Sequence, residues 1–151
     1  MKKHIRIRVA GIVLNGKKEI LLVNHKKKGR SYWLFPVGGV EYGETVIQAL
    51  KREFREELSV TKLSVENLVF MNDTIYPGGE RHIINLYFRV KLGKGARVSV
   101  NPEKVLKGAE FVAMKKFRKL LFYPDVKSAI IIGVKNGFKK SPGYIKIRWK
   151  K

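Results

Sequence analysis

The chain has 151 residues, 44% of them hydrophobic, and no cysteine. This excludes a disulfide framework, a zinc knuckle and a thiol nucleophile, argues against disorder, and fits one domain, residues 1–151, with a sizeable core. Thirty-three lysines and arginines stand against twelve acidic residues, a formal net charge of +21, which either steers polyanions to the surface or reflects solubility and habitat, since lysine is spread over nearly the whole chain.

The opening Met1-Lys2-Lys3-His4-Ile5-Arg6 lacks the uninterrupted apolar stretch of a signal peptide, and the apolar run near Ile130 is too short to span a bilayer, so a cytoplasmic protein is expected. Alternation then predicts strands over about 4–14 and 18–24, joined by Asn15-Gly16, a favoured hairpin turn. Lys26, Lys27, Lys28 and Arg30 form a basic loop placed to meet a phosphate chain. A short strand from Tyr32 to Pro36 follows, with Trp33 and Phe35 on one face; either ring could line a base pocket, and Phe35 reads better as core. A Gly-rich loop leads into a helix over 45–58, in which Gly43-Glu44-Thr45 turns the chain into the helix start. Two β-rich runs, about 65–75 and 82–92, flank the turn Tyr76-Pro77-Gly78-Gly79, and His82 at a strand start reads as a hydrogen-bonded surface residue. Ala109 to Ala113 is a further strand, and helices are predicted near 114–121 and 125–137, with Pro124 as breaker and Asp125 as N-cap. At the end Lys146, Arg148, Lys150 and Lys151 alternate with Ile145, Ile147 and Trp149, a strand with one basic face open to nucleic acid.

Five of the twelve acidic residues fall between Gly38 and Val60, in GGVEYGETVIQALKREFREELSV. On a helix Glu53, Glu56 and Glu57 stand at i, i+3 and i+4 and project from one face. Ile47, Leu50, Phe54 and Leu58 form an adjacent apolar stripe; Gln48, Lys51, Arg52 and Arg55 lie on the other side, from which Arg52 can reach Glu56 at i+4. Two carboxylates ~5 Å apart repel by roughly 3 kcal/mol at an effective dielectric of ~20, a cost that a divalent cation reverses. An all-oxygen donor set points to Mg²⁺ or Mn²⁺. The plain alternative is a solvated helix face, but such a face would interleave its acids with lysine partners.

The order of residues from Gly38 through Glu44, Arg52, Glu53, Arg55, Glu56, Glu57 and Leu58 to Val60 resembles the Nudix box, with one departure. Ser59 stands where the family pattern has glycine, which puts ~1 kcal/mol of strain at the helix exit. Phe54 is bulkier than the usual aliphatic residue. The resemblance to MutT-like and ADP-ribose pyrophosphatase-like Nudix hydrolases implies an α/β (α+β) fold, an α/β/α sandwich with a mixed β-sheet. It implies a metal site made by the Gly38 carbonyl, Glu56 and Glu57, with Glu53 as a further ligand or the general base and Glu44 as loop support. Glu110, just before Phe111, is either an additional base or an exposed strand acid; Glu80 and Glu103 are weaker candidates. Arg52 and Glu53 with Glu110 make up the expected catalytic set, and Lys28, Arg30 and Trp33 the substrate contacts. The activity implied is hydrolysis of a diphosphate linkage in a nucleoside diphosphate derivative, either an ADP-ribose-like compound or a nucleoside triphosphate, oxidised ones included. An RNA 5′-end pyrophosphohydrolase and a non-catalytic RNA or nucleotide binder are the alternatives. Pro77 and Tyr76 lie near positions that point respectively to ADP-ribose and to dinucleoside polyphosphate members, and both also suit a plain turn. A homodimer is expected by resemblance alone.

Overall fold

The computed structural model describes residues 3–101 and 106–147; Glu103, Arg148, Trp149, Lys150 and Lys151 lie outside them. Its elements are β1 (Ile5–Ile12), β2 (Ile20–Lys27), β3 (Arg30–Leu34), β4 (Val37–Gly39), α1 (Val46–Leu58), β5 (Leu63–Ile75), β6 (His82–Leu92), β7 (Leu106–Val112), α2 (Met114–Phe117), α3 (Lys127–Asn136) and β8 (Gly143–Tyr144). A mixed five-stranded sheet runs β4-β1-β6-β5-β8 and a three-stranded antiparallel sheet runs β3-β2-β7. Within the larger sheet β1 lies parallel to β6 and antiparallel to β4.

Side chains that alternate along the strands feed two separate cores. Val9, Val13, Leu21, Val23, Phe88 and Val90 pack with Ala49, Leu50, Phe54 and Leu58 of α1. Ala10, Ile12, Ile20, Leu22 and Tyr87 pack with Phe117 of α2 and with Ile130 and Val134 of α3. Helices thus cover both faces of the strands, the expected α/β/α sandwich. The bulk of Phe54 is accommodated by Gly11, where an added Cβ would lie 2.5 Å from the phenyl ring.

Several local expectations need correction. β1 and β2 do not form a two-stranded hairpin. The chain reverses between them through the Leu14–Ile20 bridge, with the Asn15 amide bonded to the Glu19 carbonyl and the Leu21 amide to the Val13 carbonyl, and the two strands then diverge into different sheets. Nor is Asn15-Gly16 a two-residue turn: the Asn15 side chain accepts from the Lys17 and Glu19 amides, and Lys18 takes the left-handed conformation at φ 59°. The true two-residue hairpin turn is Lys28-Gly29, with φ 50° and 78°, between the paired Lys27 and Arg30 of β2 and β3. Asp125 does not cap α3. The Val126 amide bonds to the Pro124 carbonyl, the chain turns once more, and Val126 takes the cap position. α2 stops after four residues. At the C-terminal end the strand is Gly143–Tyr144; residues 145–147 are not strand, although the Ile145 amide still bonds to Met71.

No helix among the described residues is long and apolar enough to cross a membrane.

Candidate active site

α1 starts with a reciprocal capping box. Thr45 Oγ1 accepts from the Gln48 amide at 3.1 Å, and Gln48 Oε1 accepts from the Thr45 amide at 2.8 Å. Just upstream, Glu44 Oε1 accepts from the Glu41 amide at 2.8 Å, which folds the loop against the helix. Leu50, Phe54 and Leu58 are buried as expected, whereas Ile47 is exposed and Ala49 takes its place in the core. The helix leaves through Ser59 at φ 56°, ψ 25°, the left-handed conformation that glycine would adopt without strain. Its last carbonyls find partners across the chain: Ser99 N–H donates to Leu58, and Asn101 donates to Glu57 through its backbone and to Glu56 through its side-chain amide.

Arg52 is the hub of the acidic cluster, not a member of the opposite helix face. Its guanidinium donates to both oxygens of Glu44, Nη2 to Oε1 at 2.6 Å and Nε to Oε2 at 3.1 Å. Nη1 donates to Glu53 Oε1 at 2.7 Å and reaches Glu56 Oε2 at 3.4 Å, while Nη2 also donates to the Gly39 carbonyl at 2.9 Å. The i+4 contact to Glu56 is therefore the longest of the four ion-pair or carbonyl contacts Arg52 makes. The bond to Glu44, reinforced by that to Glu53, raises the Arg52 pKa; in return the Arg52 bond and the Glu41 amide hold the Glu44 carboxyl below its ordinary value. Because Arg52 takes only Oε1 of Glu53, the second carboxylate oxygen stays outside that pair.

Gly38 sits in β4 opposite Val9, directly beneath Glu53. A Cβ there would fall 1.9 Å from Glu53 Cδ, so only glycine leaves room for the carboxylate against the backbone. This close approach and the all-oxygen donors suit a hard divalent ion. In the conformation seen, Glu53 and Glu56 turn toward Arg52, and no three acidic or histidine side chains among the described residues form a ready-made ligand cluster.

One basic side chain beside the acids belongs to no motif in the sequence. Arg8, opposite Gly39 on β1, is half-buried, and its pKa is lowered by that burial and by Arg6 while Glu57 and Glu53 pull it back up. Its Nε and the hydroxyl of the buried Tyr87 have no protein partner. Both residues line a cavity of about 20 Å³, shared with Phe35, Asn85 and Tyr123. The only signal in the sequence was an arginine in the apolar alternation of β1.

The remaining sequence-predicted residues lie elsewhere. Glu110 is half-exposed and accepts from Lys116 Nζ at 2.9 Å; it makes no contact with the Arg52 network. Trp33 is partly buried with Lys116 Nζ 5.6 Å from its ring centroid. Phe35 is core, in edge contact with Phe122 and Tyr87. Lys28 and Arg30 line a surface depression at the β2–β3 tip. His82 pairs with Asp73 at 3.2 Å.

A two-sided sandwich whose Gly-rich strand presses against a Glu-bearing helix through one arginine agrees with the family match: the NUDIX domain matches residues 4–130. The chain belongs to the NUDIX domain family, that of the Nudix hydrolases, which generally use divalent metal ions. Among curated relatives, 8-oxo-dGDP phosphatase NUDT18 of Mus musculus is 36% identical over 72 residues, 44% of this chain and 22% of that protein. RNA pyrophosphohydrolase of Orientia tsutsugamushi is 40% identical over 57 residues, 38% of this chain and 35% of that protein. The chain thus spans about a third or less of the length of these two relatives. A NUDIX hydrolase from Nitrosomonas europaea shares the fold with a TM-score of 0.72 at 18% identity, covering 92% of this chain and 94% of that one.

Proposed function

We propose that the protein hydrolyses a diphosphate linkage in a nucleoside diphosphate derivative, with Mg²⁺ or Mn²⁺ held by the Gly38 carbonyl, Glu53, Glu56 and Glu57. The observation that carries this reading is the steric cradle at Gly38, where the backbone and the Glu53 carboxylate share a space that excludes any side chain. A bound divalent ion would supply charge neutralisation on the bridging phosphates and Lewis-acid activation of water. The protein's own groups do the positioning. Arg52 ties the loop carboxylate Glu44 to the helix carboxylates and to the Gly39 carbonyl, fixing the distance between loop and helix. Glu53, with one oxygen outside the Arg52 bond, is a ligand or the acceptor of the water proton. Arg8 presents a half-buried cation beside the same acids, where it would meet a phosphate oxygen. Water attacks phosphorus, and a phosphate or nucleotide leaves.

The small-nucleotide reading covers ADP-ribose-like compounds and nucleoside triphosphates, oxidised ones included, and the relative named 8-oxo-dGDP phosphatase supports the last of these. A second reading, an RNA 5′-end pyrophosphohydrolase, is favoured by the basic β2–β3 tip and by relatives bearing that name. The test is a product assay with Mg²⁺ over ADP-ribose, canonical and oxidised nucleoside triphosphates, dinucleoside polyphosphates and 5′-triphosphorylated RNA, run beside Glu57→Gln. Hydrolysis of one class, reduced by ~10²-fold or more in the variant without loss of folding, is expected. Equal rates in both proteins would refute the metal assignment, and silence across the panel with salt-sensitive RNA binding would leave a binding domain instead.

A further inference from the structure

The β2–β3 tip carries a second feature that the hydrolytic site does not use. Lys27, Lys28, Arg30, Tyr32, Leu121 and Tyr123 line an open depression of about 430 Å³. Its charged lining residues, Lys27, Lys28 and Arg30, are all basic. Two of its lining side chains are aromatic: Tyr32, which stacks on His25 with ring centroids 5.5 Å apart, and Tyr123, which meets Tyr32 edge-on at 5.8 Å. Burial and the neighbouring Arg8 lower the His25 pKa, so this ring stacks as a neutral platform at pH 7.

The backbone holds these groups together. The Trp33 amide donates to the Leu121 carbonyl at 2.8 Å and the Tyr123 amide to the Trp33 carbonyl at 3.1 Å, which zips the 121–123 segment along β3 and sets Tyr123 beside Tyr32. Lys28 is held at φ 50°, a conformation that costs a lysine ~1 kcal/mol and that asparagine or glycine would take more readily. The depression is also joined to the acids. Tyr123 lines both it and the small cavity occupied by Arg8, and Arg8 interacts with Glu57 and Glu53.

We propose that this depression binds the 5′-proximal nucleotides of a single-stranded RNA, with phosphates on Lys27, Lys28 and Arg30 and a base on Tyr32 and Tyr123, so that the 5′ end extends past Arg8 to the carboxylates. A basic depression lined by two tyrosine rings matches the chemistry of single-strand binding, in which backbone charge and base stacking act together. The inference rests on the RNA pyrophosphohydrolase reading for the choice of RNA as ligand.

The test separates the two by using an RNA that cannot be hydrolysed. A fluorescein-labelled 5′-hydroxyl RNA oligonucleotide is titrated with the whole protein and followed by anisotropy over a range of salt, with heparin as a polyanion lacking bases. Tyr32→Ala and Tyr123→Ala are each expected to weaken RNA binding about tenfold, with heparin binding and the salt slope unchanged. The triple Lys27→Ser, Lys28→Ser, Arg30→Ser is expected to reduce the salt slope by about 2, at ~0.7 per lost phosphate contact on a single strand. Lys139→Ser with Lys140→Ser, far along the chain in an exposed segment, controls for general charge and should change affinity less than twofold or so. The tip substitutions are at an exposed turn, and circular dichroism verifies that all variants are folded. Wild-type RNA affinity in both tyrosine variants, or equal losses in the tip and Lys139/Lys140 variants, overturns the proposal. RNA binding that follows the predicted pattern without any release of phosphate or pyrophosphate from 5′-triphosphorylated RNA upholds the groove and refutes the pyrophosphohydrolase reading on its own.

Discussion

Gly38→Ala tests the steric logic of the site with one methyl group. The added Cβ would lie 1.9 Å from Glu53 Cδ, 2.1 Å from Oε1 and 2.4 Å from Cγ. An ordinary carbon contact needs ~3.5 Å, so the carboxyl has to retreat by roughly 1.5 Å. The three nearest atoms all belong to the end of a flexible side chain. The stability lost is then at most that of the charge-assisted Arg52–Glu53 bond, now 2.7 Å long, about 1.5–3 kcal/mol. For a chain of this size that is a fall in Tm of about 10 °C or less. A reacting group displaced by more than ~1 Å, in contrast, costs about 10²-fold in rate. Steady-state hydrolysis and thermal unfolding measured on the same preparations should therefore dissociate, with activity nearly gone and most of the stability kept. Adding Glu53→Asp to Gly38→Ala should recover Tm without recovering rate. A Gly38→Ala enzyme that turns over at the wild-type rate would refute the placement of Glu53 against Gly38 and the site built on it.

Ser59→Gly relieves a left-handed residue on the exposed helix exit and, after the extra freedom glycine gives the unfolded chain, should stabilise by about 0.5–1 kcal/mol, read as a Tm higher by about 1–4 °C; a lower Tm would contradict the cap assignment. Glu110→Gln breaks only a half-exposed pair with Lys116, so rate should stay within about threefold and stability within ~0.5 kcal/mol, whereas a hundredfold loss of rate would bring Glu110 into the chemistry. Asp73 accepts a hydrogen bond from Tyr144 and one from His82, and these hold its pKa below the ordinary value. A depressed folded pKa contributes stability that is full above the unfolded value of ~3.9 and vanishes as pH falls through the folded value. The Tm deficit of Asp73→Asn should accordingly be largest near neutrality and shrink below about pH 4, and a deficit that grows on acidification would contradict the sign.

Strong local periodicity made much of this fold legible. The long strands β5 and β6 were predicted within two residues at each end, because alternation over so many residues with a Pro-Gly-Gly turn between them leaves little choice. The Glu53–Glu56–Glu57 helix was predicted within one residue for the same reason, and the left-handed exit at Ser59 followed from the single glycine the pattern lacks. Where pairing is decided at long range the sequence was silent. Asn15-Gly16 signals a hairpin, but nothing local reveals that β1 will pair with β6 and β2 with β7, which pulls the two strands into separate sheets. The four residues of β4 and its flank read as a glycine loop, since their strand character comes only from Arg8, Val9 and Ala10 alongside.

The same limit hides most of the partners of Arg52. Helical spacing offers it Glu56, one turn on, and that contact is present but long, at 3.4 Å. Besides the adjacent Glu53 at 2.7 Å, its short contacts go to Glu44 and the Gly39 carbonyl, eight and thirteen residues back in the chain, brought near by the pairing of β4 with β1 and the packing of α1 on that sheet. The difference in length has a chemical consequence. A divalent ion held by these acids would compete with Arg52 for carboxylate oxygens, most easily for Glu56 at 3.4 Å and least for Glu44, which is gripped through two oxygens. Arg52 would then release Glu56 and keep hold of the loop acid. Its bonds to Glu44 and to the Gly39 carbonyl would keep loop and helix in register, with Gly38 under Glu53.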